Sequence, residues 1–189
     1  MLLLINAVLL GVGLAMDAFS VSLANGLNEP DMKKSKLSGI AGIFALFQFA
    51  MPLIGWFCVH SLLEKFKAFE KFIPWIALIL LLYIGGKMLI EGIKGNDEEE
   101  TPALTFTDLM VQGVATSIDA LSVGFTIAEL NLGLALVESV IIGLVTFVIC
   151  AIGLLIGKKA GSKLSNKASI LGGVILIAIG IEIFIKGVF

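Results

Sequence analysis

The chain has 189 residues, of which 58% are hydrophobic and 15% are charged, and its mean hydropathy is +1.06. A soluble domain of this length does not have so apolar a composition, so the sequence predicts an integral membrane protein. The formal net charge of −2 and the absence of a basic patch argue against nucleic acid as a partner, and the lipid bilayer is the expected surrounding.

Six apolar segments follow one another along the chain, each near or above the ~20 residues that a helix needs to cross a bilayer. We therefore predict an all-α integral membrane protein, a single membrane domain over 1–189 with six transmembrane helices. The first segment has no basic flank before it, so we predict a first span rather than a removable signal peptide. The predicted spans are Leu2–Leu27, Leu37–Leu63, Pro74–Ile93, Phe106–Ile127, Leu132–Ile156 and Ala168–Phe189.

The basic residues, all of them lysines, set the expected orientation. The loops on one side of the six spans are richer in lysine than those on the other, and the richer side is expected in the cytoplasm. Both termini are then predicted to be outside. The predicted cytoplasmic lysines are Lys33, Lys34, Lys36, Lys94, Lys158, Lys159, Lys163 and Lys167, and the outer ones are Lys65, Lys67, Lys71 and Lys186.

Two aspartates lie within apolar spans, and each opens the same pattern, Asp-Ala-x-Ser-Val. The first copy begins at Asp17 and the second at Asp119. A carboxylate in hydrocarbon costs from about 2.5 kcal/mol upward and persists where it lines a pathway or meets a partner. Two such groups at matched positions predict a cation route. The structural alternative is a buried carboxylic acid that holds helices together.

The match between the two halves extends to all three spans of each, so the sequence predicts a repeat. Gly55 aligns with Gly153, which places Gln48 over Thr146. Because each half has an odd number of spans, the second copy enters the membrane upside down, as in inverted-repeat transporters. Chance similarity between small-residue helices is the alternative. We predict repeat one at 1–95, an acidic cytoplasmic linker at 96–105 and repeat two at 106–189, together two inverted three-helix repeats.

Polar side chains near the aspartates complete the candidate site. Pro52 follows Gln48 by four residues, and its missing N–H predicts a kink and a free Gln48 carbonyl. Such carbonyls coordinate cations in transporters, although a packing kink is the alternative. Hydroxyl groups near the site have the alternative of bonding their own backbone. The predicted metal ligands are Asp17, Asp119 and Gln48, and the further lining residues are Ser20, Asn25, Thr116, Ser122, Thr146 and Glu138.

The oxygen-rich set of side chains predicts the class of ion. Carboxylate, amide and hydroxyl oxygens suit Mg²⁺, Ca²⁺ and Mn²⁺. His60 is the only histidine, and neither Cys58 nor Cys150 has a partner at ligand spacing, which argues against copper and specialised zinc sites. No resident cofactor is predicted. Two aspartates balance one divalent charge, and their repulsion in apolar surroundings favours proton uptake when the metal leaves, so we expect metal-for-proton exchange.

Essentially the whole chain resembles a known family. The stretches that carry the likeness are 16–22, 48–56, 85–88, 91–92 and 115–124. Together they are similar to the bacterial manganese efflux pumps of the MntP type, within the LysE-like exporter superfamily. The resemblance implies a transporter in the inner membrane that exports Mn²⁺, with Asp17 and Asp119 as the essential carboxylates. At position 48 such proteins carry Glu or Gln, and Gln48 removes one possible negative charge.

Other functions fit part of the pattern. An exporter of the same fold could carry Cd²⁺, Fe²⁺ or an amino acid, although no lysine lies mid-span to hold an amino-acid carboxylate. An intramembrane aspartyl protease has Asp directly after Gly-x-Gly, whereas here three residues separate Gly13 from Asp17. A scaffold subunit would not explain paired aspartates. The sequence leaves the oligomeric state open.

Overall fold

The protein is described here by a computed structural model covering residues 2–61, 73–94, 104–164 and 167–188, and these residues form seven helices without a strand among them. The all-helical prediction is therefore confirmed for the described chain. The helices are α1 (Leu2–Asn28), α2 (Lys34–Ser61), α3 (Ile73–Lys94), α4 (Phe106–Ala115), α5 (Ile118–Thr126), α6 (Leu132–Leu164) and α7 (Lys167–Val188).

Several helices are long and apolar enough to cross a membrane. Leu4–Asn28, Lys34–Val59 and Leu132–Gly161 meet this test among the described residues, and α4 with α5 makes a fourth if the bent pair counts as one span. Large apolar side chains are exposed along these helices, as in Leu9 and Leu144, where a soluble protein would bury them. The chain is thus a multi-pass membrane protein.

The fourth predicted span, Phe106–Ile127, was expected to be one helix, and that expectation is wrong. The chain bends by 41° between α4 and α5. The Thr116 hydroxyl donates to the Gln112 carbonyl at 2.9 Å, and the Ser117 hydroxyl donates to the Gly113 carbonyl at 2.7 Å. Hydroxyls that bond back one turn compete with the helical ladder and bend helices. Two of them in succession explain why the helix ends at this point.

In the first half of the chain, α2 runs as a single helix from Lys34 to Ser61 with Pro52 inside it, so Pro52 does not interrupt the helix. The bend of 41° lies in the second half, at Thr116 and Ser117.

Glycines allow the helices to approach closely. A Cβ on Gly26 would collide with the Leu154 carbonyl, so α1 and α6 cross with their backbones in contact. In the same way a Cβ on Gly124 would collide with the Pro52 carbonyl, which brings α5 against α2. A Cβ on Gly85 would lie 2.8 Å from the carbonyl oxygen of the glycine at 173, where α3 meets α7. Close backbone approach through small residues is the usual packing of membrane helices.

The direction of each crossing follows from a second contact. α1 and α6 run parallel, because residues that increase in number along α1 meet increasing numbers along α6. α2 is parallel to α4 and α5 by the same criterion, and α3 is antiparallel to α7. The contacts of one half therefore have counterparts in the other: α1 with α6 corresponds to α2 with α4 and α5, and α1 with α7 corresponds to α3 with α4.

Polar caps mark two of the helix starts. The Thr105 hydroxyl accepts from the Asp108 N–H at 3.2 Å, and the Asp108 carboxylate accepts from the Thr105 N–H at 3.1 Å, so both ends of a capping box are present. Asn131 accepts from the Leu134 N–H at 3.0 Å at the start of α6. Most of the predicted linker 96–105 and the predicted outer lysines at 65, 67 and 71 lie outside the described residues.

Candidate functional site

The two aspartates lie on different helices, α1 and α5. Asp17 is half-buried in the middle of α1, and Asp119 is the second residue of α5. α1 meets α4 where Asn25 bonds Gln112, and Leu14 of α1 belongs to the same apolar cluster as Ala120 of α5. Each aspartate therefore lies within one turn of a residue of this cluster.

Asp119 also benefits from its place in the helix. It lies in the first turn of α5, where the positive end of the helix dipole favours a negative side chain. Its Oδ1 accepts a hydrogen bond from the Ala120 N–H at 2.9 Å. The break after Thr116 creates this helix start, so the bend in the chain stabilises a carboxylate within the membrane.

Gln48 joins the two aspartate-bearing segments. Its side chain is fully buried, and its Nε2 donates to the Leu14 carbonyl at 3.2 Å and to the Thr116 carbonyl at 2.9 Å. Each of these carbonyls belongs to the residue three before an aspartate, so they are equivalent positions of the two sequence copies. A single amide on α2 thus holds the same point of both motifs.

The Thr116 carbonyl is available to Gln48 because the helix is broken there. In a continuous helix it would accept from the N–H of Ala120, four residues on. Here that N–H bonds Asp119 instead, and the carbonyl accepts from the Gln48 side chain. The break, the aspartate and the glutamine therefore form one connected hydrogen-bond arrangement.

Four buried side-chain oxygens have no hydrogen-bond partner in the described part of the chain, those of Ser22, Gln48, Ser139 and Thr146. Oε1 of Gln48 and Oγ1 of Thr146 are the two at positions that the predicted repeat aligns, and both side chains are fully buried. Thr146 is one turn from Gly143, whose position beside Ala45 and Phe49 shows where α6 crosses α2. An unsatisfied buried oxygen costs about 1–3 kcal/mol, so two of them at equivalent positions of the repeat are what an oxygen-binding cation would require.

Asp119 opens onto a groove. The groove has a volume of about 550 Å³, and apart from Asp119 its lining comes from the N-terminal half of α1. The α1 residues that line it are Asn6, Leu9, Leu10, Gly13 and Leu14. The second aspartate is therefore more accessible than Asp17, which does not line this groove.

The other predicted lining residues have different surroundings. The Ser20 hydroxyl bonds the Met16 carbonyl at 3.0 Å, which is the backbone-bonding alternative that the sequence left open. Ser122 is exposed on α5. Glu138 is buried on α6 but lies about two turns before Thr146. Of the three, the Ser20 hydroxyl is engaged by the backbone, while the lining roles of Ser122 and Glu138 stay predictions.

Asn25 has a partner that the sequence analysis missed. Its Nδ2 donates to Oε1 of Gln112 at 2.7 Å, and Nε2 of Gln112 donates back to its Oδ1 at 3.3 Å. Both side chains are fully buried, and the pair lies about two turns from Asp17 along α1. A polar residue within the apolar segment 106–127 was the available signal, because buried amides need partners.

The donor set determines which ions the site can hold. Among the described residues no group of three or more His, Cys, Asp or Glu side chains gathers that could hold a metal ion. The predicted ligand set, two carboxylates with amide and hydroxyl oxygens, is of the kind that hard or borderline divalent cations bind.

Comparisons with known proteins show which family the chain resembles. A family model described as "Putative manganese efflux pump" matches residues 31–184. Proteins named "Putative manganese efflux pump MntP" from Ruminiclostridium cellulolyticum and Methanobrevibacter smithii are 43% and 42% identical to the chain, over 98% and 96% of its length and 97% of theirs. One from Clostridium perfringens is 41% identical over 97% of this chain and 94% of its own. No solved structure matches the chain.

Proposed function

The chain belongs to the MntP family, whose members are transporters rather than enzymes, and we propose that it exports Mn²⁺ from the cytoplasm through a site between Asp17 and Asp119. The observation that carries this proposal is the Gln48 amide, which holds equivalent carbonyls of both aspartate motifs and leaves its own oxygen without a partner. The protease alternative has no further support, because the family is one of efflux pumps.

The proposed ligands are the two carboxylates, Oε1 of Gln48 and Oγ1 of Thr146. Oxygen donors suit Mn²⁺, and two ionised aspartates neutralise its charge, so the loaded site has no net charge in the apolar interior. Two hydrogen bonds to carbonyls fix the Gln48 amide with its oxygen free to bind the metal. This arrangement supports a neutral glutamine as a ligand.

The proposed architecture is two inverted repeats of three spans each, in the inner membrane with both termini outside. The parallel crossings of α1 with α6 and of α2 with α4 and α5 support it, because helices an even number of spans apart run in the same direction. The antiparallel crossing of α3 with α7 supports this architecture as well, since they are the third and sixth spans and spans an odd number apart run in opposite directions. The excess of lysine in the predicted cytoplasmic loops supports the orientation.

Export is proposed to proceed by exchange with protons. When the metal leaves, the two carboxylates of the proposed site repel each other in apolar surroundings, and proton uptake relieves that repulsion. The protons would then travel in the direction opposite to the metal. A pH gradient across the membrane is expected to drive the exchange.

The test is metal flux in liposomes that contain the purified protein, with and without a pH gradient. We expect flux of Mn²⁺ in preference to Fe²⁺, Mg²⁺, Ca²⁺ and Cd²⁺, and a response to the gradient. Asp17→Asn and Asp119→Asn should each abolish flux in a protein that is still folded, whereas Asp31→Asn, at an exposed residue beyond α1, should not. Wild-type flux in either of the first two variants would refute the paired site.

The same assay separates the alternatives of the same fold. Preference for Cd²⁺ or Fe²⁺ would retain the site and change its substrate. No flux of any divalent cation, together with flux of an amino acid, would remove the metal from the proposal.

A further inference from the structure

Asp119 is exposed in the described structure although it lies within a membrane span. Asp119 is exposed, and it lines the groove along α1. A carboxylate that faced lipid tails at this depth would be costly, whereas one that faces water is not. The groove volume of about 550 Å³ is ample for water and for a hydrated divalent cation. The exposure of Asp119 therefore indicates a groove that is filled with water.

The groove extends in one direction only. All of its α1 lining residues precede Asp17, and the one polar side chain among them is Asn6. Asn6 is eleven residues before Asp17, which corresponds to about 16 Å along a helix. The groove thus leads from Asp119 toward the N-terminal end of α1.

The opposite direction is closed by buried amides. Asn25 and Gln112 exchange two hydrogen bonds between α1 and α4, and neither side chain is exposed. Val21 and Ala24, on the same stretch of α1, are also fully buried. The residues of α1 that line the groove end at Leu14, before this stretch begins.

The two ends of α1 differ in the residues available to close them, although the two halves of the sequence correspond. A shift of 102 residues takes Asn25 to Ile127 and Leu10 to Gln112, so the counterpart of the amide pair is a pair of apolar residues. Hydrogen bonds hold one end of the α1 crossing, while apolar contact alone is available at the other. The described structure, with the amide end closed and the apolar end open, is the conformation that this difference favours.

We propose that the groove from Asp119 to Asn6 is the path by which the cation leaves, and that the Asn25–Gln112 pair closes the site on the other side while this path is open. The identity of the cation as divalent rests on the proposed function. The path itself rests on the groove and on the amide pair.

The test measures access of water to single cysteines. In a background of Cys58→Ala and Cys150→Ala, a charged, membrane-impermeant thiol reagent is added from the side of the N-terminus. Gly13→Cys places the thiol in the groove, where an added Cβ meets nothing within 4 Å. Val12→Cys places it on the neighbouring exposed surface outside the groove, and Ala24→Cys places it in the closed half.

Labelling of Gly13→Cys is expected to be at least about tenfold faster than that of Val12→Cys, because a charged reagent partitions poorly into lipid. Ala24→Cys should stay unlabelled, and each thiol should react after denaturation. Equal rates at Gly13→Cys and Val12→Cys, or no labelling of either, would overturn the path. Labelling of Ala24→Cys as fast as Gly13→Cys would overturn the closure.

Removal of the amide pair tests its role directly. Gln112→Leu in the Ala24→Cys protein should speed labelling from the opposite side by about sevenfold or more, the change expected from losing two membrane hydrogen bonds. An unchanged rate would reduce the pair to packing. These rates do not depend on metal flux, so labelling as expected without Mn²⁺ transport would reject the proposed substrate and keep the path. Mn²⁺ transport with the unexpected labelling pattern would keep the proposed substrate and reject the path.

Discussion

The side chain of Gln48 offers the sharpest test of the site, because its amide both donates and accepts there. Gln48→Leu removes the bonds of 3.2 and 2.9 Å to the Leu14 and Thr116 carbonyls and also removes Oε1. Neutral hydrogen bonds between membrane helices average about 0.6 kcal/mol, so two lost bonds amount to about 1.2 kcal/mol. That energy corresponds to roughly a sevenfold change in affinity, and the lost ligand adds to it. We expect the apparent KM for Mn²⁺ flux in liposomes to rise by at least this factor.

Gln48→Glu is the matched variant, since it keeps the size and the oxygen but loses the amide donor. An ionised carboxylate cannot donate to the two carbonyls, so the variant makes this contact only while it holds a proton. The pH dependence of flux through the variant should therefore be shifted from that of the wild-type protein, with wild-type behaviour approached at low pH. A wild-type KM in Gln48→Leu, or an unchanged pH profile in Gln48→Glu, would refute the role of this side chain.

Three further substitutions test packing and ligation separately. Gly124→Ala should destabilise the protein by about 1–3 kcal/mol, because the added Cβ meets a backbone carbonyl of α2. Gly13→Ala is the control, since its added Cβ enters open space. Equal melting temperatures of the two variants in detergent would contradict the close crossing of α5 and α2. Thr146→Val removes a buried hydroxyl that has no hydrogen-bond partner, so the melting temperature should not fall. The KM for Mn²⁺ should rise, because the substitution removes a proposed ligand. A wild-type KM would exclude Thr146 as a ligand. Lys158→Met removes the hydrogen bond of 2.6 Å from Lys158 to the Met32 carbonyl, in the loop between α1 and α2. It should lower the melting temperature more than Lys36→Met, which breaks a partly exposed ion pair with Glu29 worth less than about 1 kcal/mol. A larger effect of Lys36→Met would contradict this reasoning.

Helix positions could be predicted from hydropathy wherever a helix is long and continuous. The first predicted span ends at Leu27 and α1 ends at Asn28, because the length of an apolar run is a local property of the sequence. The break between Ala115 and Ile118 could not be predicted in this way. It depends on two hydroxyls that bond backward and on a glutamine from another helix, and the last of these is a tertiary contact.

Some residues of the candidate site could be predicted from the sequence. The contacts that they make in the structure differ from those that were the basis of the prediction. Gln48 was selected because Pro52 would free its backbone carbonyl, yet in the described structure the side chain makes the contacts that matter. Asn25 was expected to line the site, but it pairs with Gln112 two turns away. Hydropathy identifies which polar residues enter the membrane. It does not say which of them face one another, because that depends on how the helices cross.

The two copies of the aspartate motif have become unequal, and the inequality suggests an order of events. Asp17 lies in an uninterrupted helix and is half-buried, whereas Asp119 starts a new helix and faces the groove. The helix start stabilises the charge of Asp119, and water reaches it in this conformation. Under the proposed exchange, Asp119 would be the last carboxylate to release the cation on the way out and the first that protons from the groove reach. Asp17, which does not line the groove, would exchange its proton only after Asp119 has done so.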